Sequence, residues 1–273
     1  MELYYLNSRG EKLDFTKFPY LIKDVEELLD FSRDYDIDND KITFSEEPAE
    51  VSLVLNVSAE THEAQSAAID RFYDVTEYDI NRNAFGRLYY GKQYIECYLI
   101  GSQKKDWCLG VDYLMSYIRL VTLRQAWITE EHYQFLPAER QKDSEGADYP
   151  LDFPIDYKGA TKGSGHINNS RNMECDFKML VYGPCMYPRI TIANHAYEVM
   201  TKLDAGEYMI VDSKAGTVNR IRTNGAPVNE FNNRNKKESV FTRIPSGNNL
   251  VSWDGTFGFD ITLFYERGEP KWS

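Results

Sequence analysis

Between Asp176 and Trp272 the chain repeats one pattern: short runs rich in β-branched and aromatic residues, each closed by turn residues. The runs are DFKMLVYG, PRITIANHAYEV, EYMIVDS, GTVNRI and FGFDITLFYER. Between them fall Tyr182-Gly183-Pro184, Ala205-Gly206-Glu207, Lys214-Ala215-Gly216, Asn224-Gly225 and Ser246-Gly247-Asn248-Asn249. Runs this short, with turns this frequent, leave no room for helices and predict an antiparallel β-sandwich. No long helical pattern separates them, which argues against parallel β-α-β crossovers.

Upstream, one stretch has a strong helical period. Thr61 can cap its start, Glu63 and Gln65 stand in its first turn, and Ala64, Ala67, Ala68, Phe72, Val75 and Ile80 recur at three- and four-residue steps until Asn83. Its apolar stripe needs a cover, and the surrounding segments supply strands. Glu2 to Leu6 and Lys12 to Phe15 flank Asn7-Ser8-Arg9-Gly10, an opening hairpin. Lys41 to Phe44 reads as a strand, and the nearly unbroken apolar run Val51 to Val57 predicts a strand buried on both faces. Gly86 to Tyr90 and Gln93 to Ile100 form a hairpin at Gly91-Lys92, and Leu109 to Ile128 adds one or two strands. Leu21, Ile22, Val25, Leu28 and Leu29 have helical spacing within Pro19 to Phe31, although the segment also reads as irregular.

The fold class that follows is mostly β (α+β): an N-terminal sheet with one long helix, then the sandwich. The α+β unit ends near Phe135, where Pro137 to Gly146 turns charged and poor in apolar residues. Together with Pro150, Pro154 and Gly163-Ser164-Gly165 this segment reads as a linker, long enough that part of it should lie along a neighbour. The domains are placed at 1–148 and 149–273.

A chain of 273 residues needs no disulfide staples to build a core of this kind. Its four cysteines, Cys97, Cys108, Cys175 and Cys185, have neither C-x-x-C spacing nor clustered histidines, and are read as free thiols. A formal charge of -12 argues against a nucleic-acid grip, which needs clustered Lys and Arg. There is no secretory signal pattern and no apolar run of membrane-spanning length, so folding in the cytosol is expected.

Asp34, Asp36, Asp38 and Asp40 alternate as in a calcium loop. However, Asn39 stands where the sharp turn needs Gly and Ser45 where a bidentate Glu should close the shell, so the segment reads as a solvated acidic loop. Sequence motifs for nucleophilic, nucleotide-dependent and zinc-dependent catalysis are missing. His62, His132, His166 and His195 are scattered, and the chain is read as non-enzymatic. No residue is assigned a catalytic, cofactor or metal role.

The order YGPCMYPRITI, GEYMIVDSKAGTV, a loop with Asn224-Gly225 and Asn229-Glu230-Phe231-Asn232, FTRIPSGNNLVS and FDITLFYERGEPKW resembles the C-terminal half of siphophage distal tail proteins. FGRLYYGKQYIECYLIGS and the strand ending in Ala126-Trp127-Ile128 extend the resemblance through the N-terminal half. It implies an N-terminal split-barrel-like domain that closes into a hexameric ring and a C-terminal galectin-like sandwich that serves as a platform. The implied role is structural: a baseplate hub in the virion tail of a phage or prophage, made in the host cytoplasm. The implied partners are copies of itself, a tail tube protein, and a tail-tip or fibre protein. No cofactor, membrane insertion or sequence-specific nucleic acid is implied, and an acidic surface would keep passing DNA from sticking. A ring also requires apolar side chains of the N-terminal sheet to be exposed in the monomer.

Two other readings stay open. A carbohydrate-binding module would stack a sugar on Trp253, Tyr182 or Tyr187 and bond its hydroxyls through Asn248, Asn249 or Arg243. Against it, Trp253 also reads as a core strand residue and Ser246 to Asn249 as a turn. A glycoside hydrolase would need a carboxylate pair, and Asp152, Asp156, Glu266 and Glu269 are candidates that nothing singles out.

Overall fold

A computed structural model describes residues 2–39, 41–45, 48–107, 113–138 and 163–272. Asp40, Cys108, Asp152, Asp156 and the linker residues 139–162 lie outside the described residues, as does the start of the stretch predicted from Leu109. The fold is mostly β, as the sequence predicts, and every strand pairing described is antiparallel. Two compact units are present, Met1–Thr129 with Glu266–Ser273, and Glu130–Tyr265.

In the first unit the strands run in the order Thr16–Lys17, Tyr20–Asp24, Ala49–Ser58, Tyr113–Thr122 and Gln93–Trp107. The last of these also pairs with Gly86–Tyr90, which leads through Leu3–Leu6 to Lys12–Asp14. The predicted helix spans His62–Arg82. The Thr61 hydroxyl accepts from the Ala64 amide at 3.2 Å, and Asn83 ends the helix in the left-handed conformation. Ala68, Phe72 and Val75 pack against Leu53, Leu55, Leu88, Ile95 and Ile118.

Three expectations fail here for tertiary reasons. Ala64, Ala67 and Ile80 face outward, while the buried face of the helix includes the polar Gln65, Thr76 and Asp79. Asp79 is fully buried because Tyr5 and Ser8 of the opening hairpin donate to both of its oxygens. The segment from Pro19 forms a strand, Tyr20–Asp24, before a single helical turn at Glu26–Leu29. Pairing of Tyr20, Leu21 and Ile22 with the Ala49–Ser58 strand overrides their helical spacing. That partner strand buries Val51, Leu53, Leu55 and Val57 but leaves Glu50 and Ser52 exposed and Val54 half-buried, so one face of it carries most of the burial.

In the second unit one sheet runs Pro227–Asn229, Thr217–Ile221, Tyr208–Asp212, Asp176–Tyr182 and Phe259–Arg267, then Trp127–Phe135. The unit boundaries fall within the last two strands. A second sheet runs Gly163–Asn169, Gly247–Trp253, Arg189–Ile192 and His195–Glu198. Ile167, Ile190, Ile192 and Val251 from this sheet meet Phe177, Met179, Val211, Ile261 and Leu263 from the other in one core. Ala193 and Asn194, with φ of 51° and 66°, close the Arg189–Glu198 hairpin.

Gly163-Ser164-Gly165 is a strand rather than linker punctuation. A Cβ on Gly163 would lie 2.3 Å from the Trp253 ring, and one on Gly165 would lie 2.6 Å from Phe135. Both glycines are there because large rings fill the space where side chains would go.

Candidate functional site

The acidic stretch from Asp34 is a strand and not a loop. Asp34–Asp38 pairs with Lys41–Ser45 in a two-stranded sheet of its own, with Asn39 left-handed at the tip (φ 45°). An extended strand spaces alternate carboxylates by about 6.6 Å, so Asp34, Asp36 and Asp38 form a row along one face and cannot wrap an ion. Among the described residues, no three His, Cys, Asp or Glu side chains converge as metal ligands.

The same alternation gives the hairpin a second face. Tyr35 stands opposite Phe44 and Ile37 opposite Ile42, all four on the side away from the carboxylates. Their relative exposures are 64%, 67%, 59% and 54%, so four large apolar side chains lie open to water. An isolated two-stranded hairpin is marginal in water. Fully covering such side chains is worth on the order of 1.5–3 kcal/mol each.

The base of the hairpin is anchored within the first unit. Glu27 accepts from the Ser52 amide at 2.8 Å, and Gln125 donates to the Asp30 carbonyl at 2.6 Å. The Phe31 ring occupies the space beside Gly268, with the Arg33 guanidinium 5.3 Å above it. The neighbouring return segment is fixed in turn. Arg124 donates to both oxygens of Glu266, and Gln93 exchanges two hydrogen bonds with the Lys271 backbone at 3.0 and 2.9 Å. The firm base and uncovered apolar face make the hairpin an arm with one apolar side open to water.

The other candidates disperse. Trp253 is 8% exposed, and its indole nitrogen donates to the Phe257 carbonyl at 2.9 Å, a core role. Asn249 is buried and bonds the Pro245 and Gly247 carbonyls, and Arg243 pairs with Asp176 at 3.1 Å. Tyr182, Tyr187 and Asn248 stay at the surface. Tyr182 donates to Asp260 at 2.6 Å; that hydrogen bond, with burial adding to it, pushes its phenol up to about 12.

Glu266 is held by Arg124 and Glu269 accepts from Trp272, so neither reads as half of a catalytic pair. His195 bonds the Ser239 carbonyl beside Glu238, and His132 bonds Thr262 beside Glu130. Cys97 and Cys175 are free and buried, and Cys185 is free and half-buried. Among the described residues no helix is long and apolar enough to cross a membrane.

No protein-family model matches the sequence, and no curated protein matches it either. Solved structures do match. A chain in the phage P2 baseplate in its activated conformation with Ca superposes with a TM-score of 0.64 at 10% identity, covering 98% of this chain and 99% of that one. The same baseplate with Sr gives the same values. The SPP1 Dit protein, described as a paradigm of hub adsorption apparatus in phages infecting Gram-positive bacteria, gives 0.55 at 9% identity over 97% and 99% of the two chains. This chain has their fold. At such identities the likeness is one of architecture, and it extends over nearly the whole length of each chain.

Proposed function

We propose that this chain is a structural hub protein of a phage or prophage tail, a distal tail protein of the siphophage kind. Copies of the first unit close into a ring, six to a ring, which joins the tail tube to the tail-tip or fibre proteins. The second unit is the sandwich platform for those tip partners. The domains expected from the sequence, 1–148 and 149–273, are proposed as an assembling N-terminal part and a C-terminal sandwich, and the compact units differ from them in ending the first at Thr129 and adding Glu266–Ser273 to it. The role is binding and positioning rather than catalysis, and the finished protein resides in the virion tail.

The observation that carries this reading is the Tyr35–Ile37–Ile42–Phe44 face. The fold likeness supplies the context, a phage baseplate and a hub protein, and the hairpin supplies a surface that needs a partner. A second copy of the chain is the occupant that a closed ring provides, since each subunit then offers one arm and receives one.

Native mass spectrometry and light scattering on the purified chain test it. The expected result is a closed oligomer of defined size, six subunits, that falls apart when Tyr35 and Phe44 are both replaced by Ser. A chain that stays monomeric at high concentration would sink the proposal.

A further inference from the structure

Three backbone segments of the second unit lie side by side at its surface. Cys185–Met186 pairs with Lys202–Leu203, the Tyr187 amide donates to the Thr201 carbonyl at 2.9 Å, and the Val199 amide donates to the Pro188 carbonyl at 3.2 Å. On the other side of the middle segment, the Met200 amide donates to the Asn233 carbonyl at 2.7 Å and the Asn235 amide donates to the Glu198 carbonyl at 2.9 Å. Pro188, Val199, Thr201 and Leu203 are buried beneath this layer. Met186, Tyr187 and Met200 stand outward, each more than half exposed.

Tyr187 is held there at a backbone cost. Its φ is 51°, a left-handed conformation that a bulky side chain disfavours, and it precedes Pro188, which favours extended backbone instead. Strain of this kind persists where the surrounding structure enforces it, and it clusters at functional surfaces. The ring it displays is uncovered.

Cations crowd this face in a chain whose formal charge is -12. Arg189, Lys202, Arg234, Lys236 and Lys237 lie on the three segments or next to them. The carboxylates nearby are already engaged. Glu198 accepts from the Asn235 side chain at 2.6 Å, Asp204 pairs with Lys202 at 2.7 Å, and Glu238 accepts from the Ala196 amide at 2.7 Å. The Arg234 guanidinium lies 3.6 Å over the Phe231 ring, which fixes the third segment.

This chemistry selects the occupant. Met, Tyr and Arg are enriched at interface centres, and unbranched Met adapts to the contour of a partner. Uncovered apolar side chains beside a local excess of cations call for apolar groups flanked by carboxylates. Nucleic acid would pair with the cations but leave Met186 and Met200 facing phosphates. The arm of a second copy carries Asp34, Asp36 and Asp38 on the side opposite its apolar face, so it cannot present both to one surface. We propose that the Met186–Tyr187–Met200 face is where the sandwich receives a tail-tip partner, through a protein segment that presents apolar side chains between carboxylates. This rests on the hub reading and names the contact surface of its platform.

Fluorescence anisotropy on the intact assembled chain tests the proposal with labelled peptides: one of alternating Glu and Leu, one with Lys in place of Glu, and one with Ser in place of Leu. The Glu/Leu peptide should bind saturably with Kd below about 1 mM, more weakly as salt rises, and at least about tenfold more tightly than either other peptide. Met186→Ser with Met200→Ser should weaken it at least about tenfold, and Lys236→Glu with Lys237→Glu should weaken it and flatten its salt dependence. All four positions are exposed, and thermal melting checks that both variants remain folded. No binding of the Glu/Leu peptide, equal binding of the Lys/Leu peptide, or affinity unchanged in both variants would overturn the assignment. A labelled DNA duplex bound as tightly as the Glu/Leu peptide would overturn it in favour of nucleic acid. Dissociation of the oligomer by Met186→Ser with Met200→Ser would overturn it in favour of a second copy. Failure of peptide binding leaves the oligomeric mass untouched, so it is separable from failure of the hub reading.

Discussion

The Tyr5 hydroxyl donates to Asp79 across 2.5 Å, and neither residue exposes any surface to solvent. They lie 74 positions apart, and the contact ties the opening hairpin to the last turn of the long helix. Ser8 supplies the remaining donors, from its amide at 2.8 Å and its hydroxyl at 2.6 Å. Replacing Tyr5 with Phe keeps the ring in the core but strips one donor from a buried carboxylate. The expected loss is about 1–3 kcal/mol of unfolding free energy. Urea unfolding of Tyr5→Phe against the unmodified chain measures it, and an unchanged midpoint would mean that water replaces the phenol.

That polar anchor also marks where sequence reasoning stops. The helix ends were legible because Thr61 and Asn83 act locally, through their own hydroxyl and their own backbone. The turn at Asn224-Gly225 was legible for the same reason, whereas the one at Ala193-Asn194 was missed because PRITIANHAYEV reads as one continuous run. Asp79 was not, because its burial depends on partners that chain order does not bring near. The arm was half legible: Asp34-Tyr35-Asp36-Ile37-Asp38 alternates strictly, and the apolar half of that alternation held the strand signal while the acidic half drew attention to calcium. The strand Gly163–Asn169 was misread because two glycines flanking a serine look like a hinge until Trp253 and Phe135 are seen filling the missing side chains' space.

That last relation yields a steric prediction. Gly163→Ala places a methyl group 2.3 Å from the Trp253 indole, which cannot retreat without breaking its bond to Phe257. Overpacking of this kind costs about 1–3 kcal/mol. Gly216→Ala meets no steric neighbour but sits at φ 65° in a turn, so its loss arises from backbone strain alone. Pairing Gly163→Ala with a smaller residue at 253 should recover part of its loss, whereas the same change at 253 should do nothing for Gly216→Ala. Equal behaviour of the two in chemical denaturation would contradict the packing explanation.

Alkaline conditions should destabilise the protein before they alter its surface. Burial holds the phenols of Tyr5 and Tyr197 well above the ordinary tyrosine value, Tyr5 being raised further by Asp79. Burial also pushes Tyr20 and the Cys175 thiol up to about 12. In the unfolded chain these groups ionise near about 10 for the phenols and about 8.5 for the thiol. Above those values the unfolded state has released protons that the folded state still holds, so stability falls as pH rises. It should be level below about pH 8 and decline above it, by about 1.4 kcal/mol per pH unit for each group inside its window. Denaturant midpoints followed from about pH 7 to about pH 11 give the slope, and Tyr20→Phe should make it shallower. A level profile above pH 10 would show that these side chains are not protected from water.

The arm makes the opposite kind of prediction, in which folding is insensitive and assembly is not. Tyr35 and Phe44 stand opposite each other across the hairpin but are mostly exposed, so Tyr35→Ser with Phe44→Ser should change the stability of an isolated subunit by no more than about 0.5 kcal/mol per site. If copies of the chain close on this face, as proposed, each covered side chain is worth on the order of 1.5–3 kcal/mol, repeated at every interface. The double variant should therefore have a normal circular-dichroism spectrum and a normal monomer melt while its oligomer dissociates at far lower dilution. Because the attraction is apolar, raising salt should tighten the unmodified assembly rather than loosen it, and the acidic row Asp34–Asp36–Asp38 adds to that trend as its repulsion is screened. Sedimentation velocity across a salt series separates this from an interface made of ion pairs. If the assembly dissociates as salt rises, the apolar face of the arm does not hold it together.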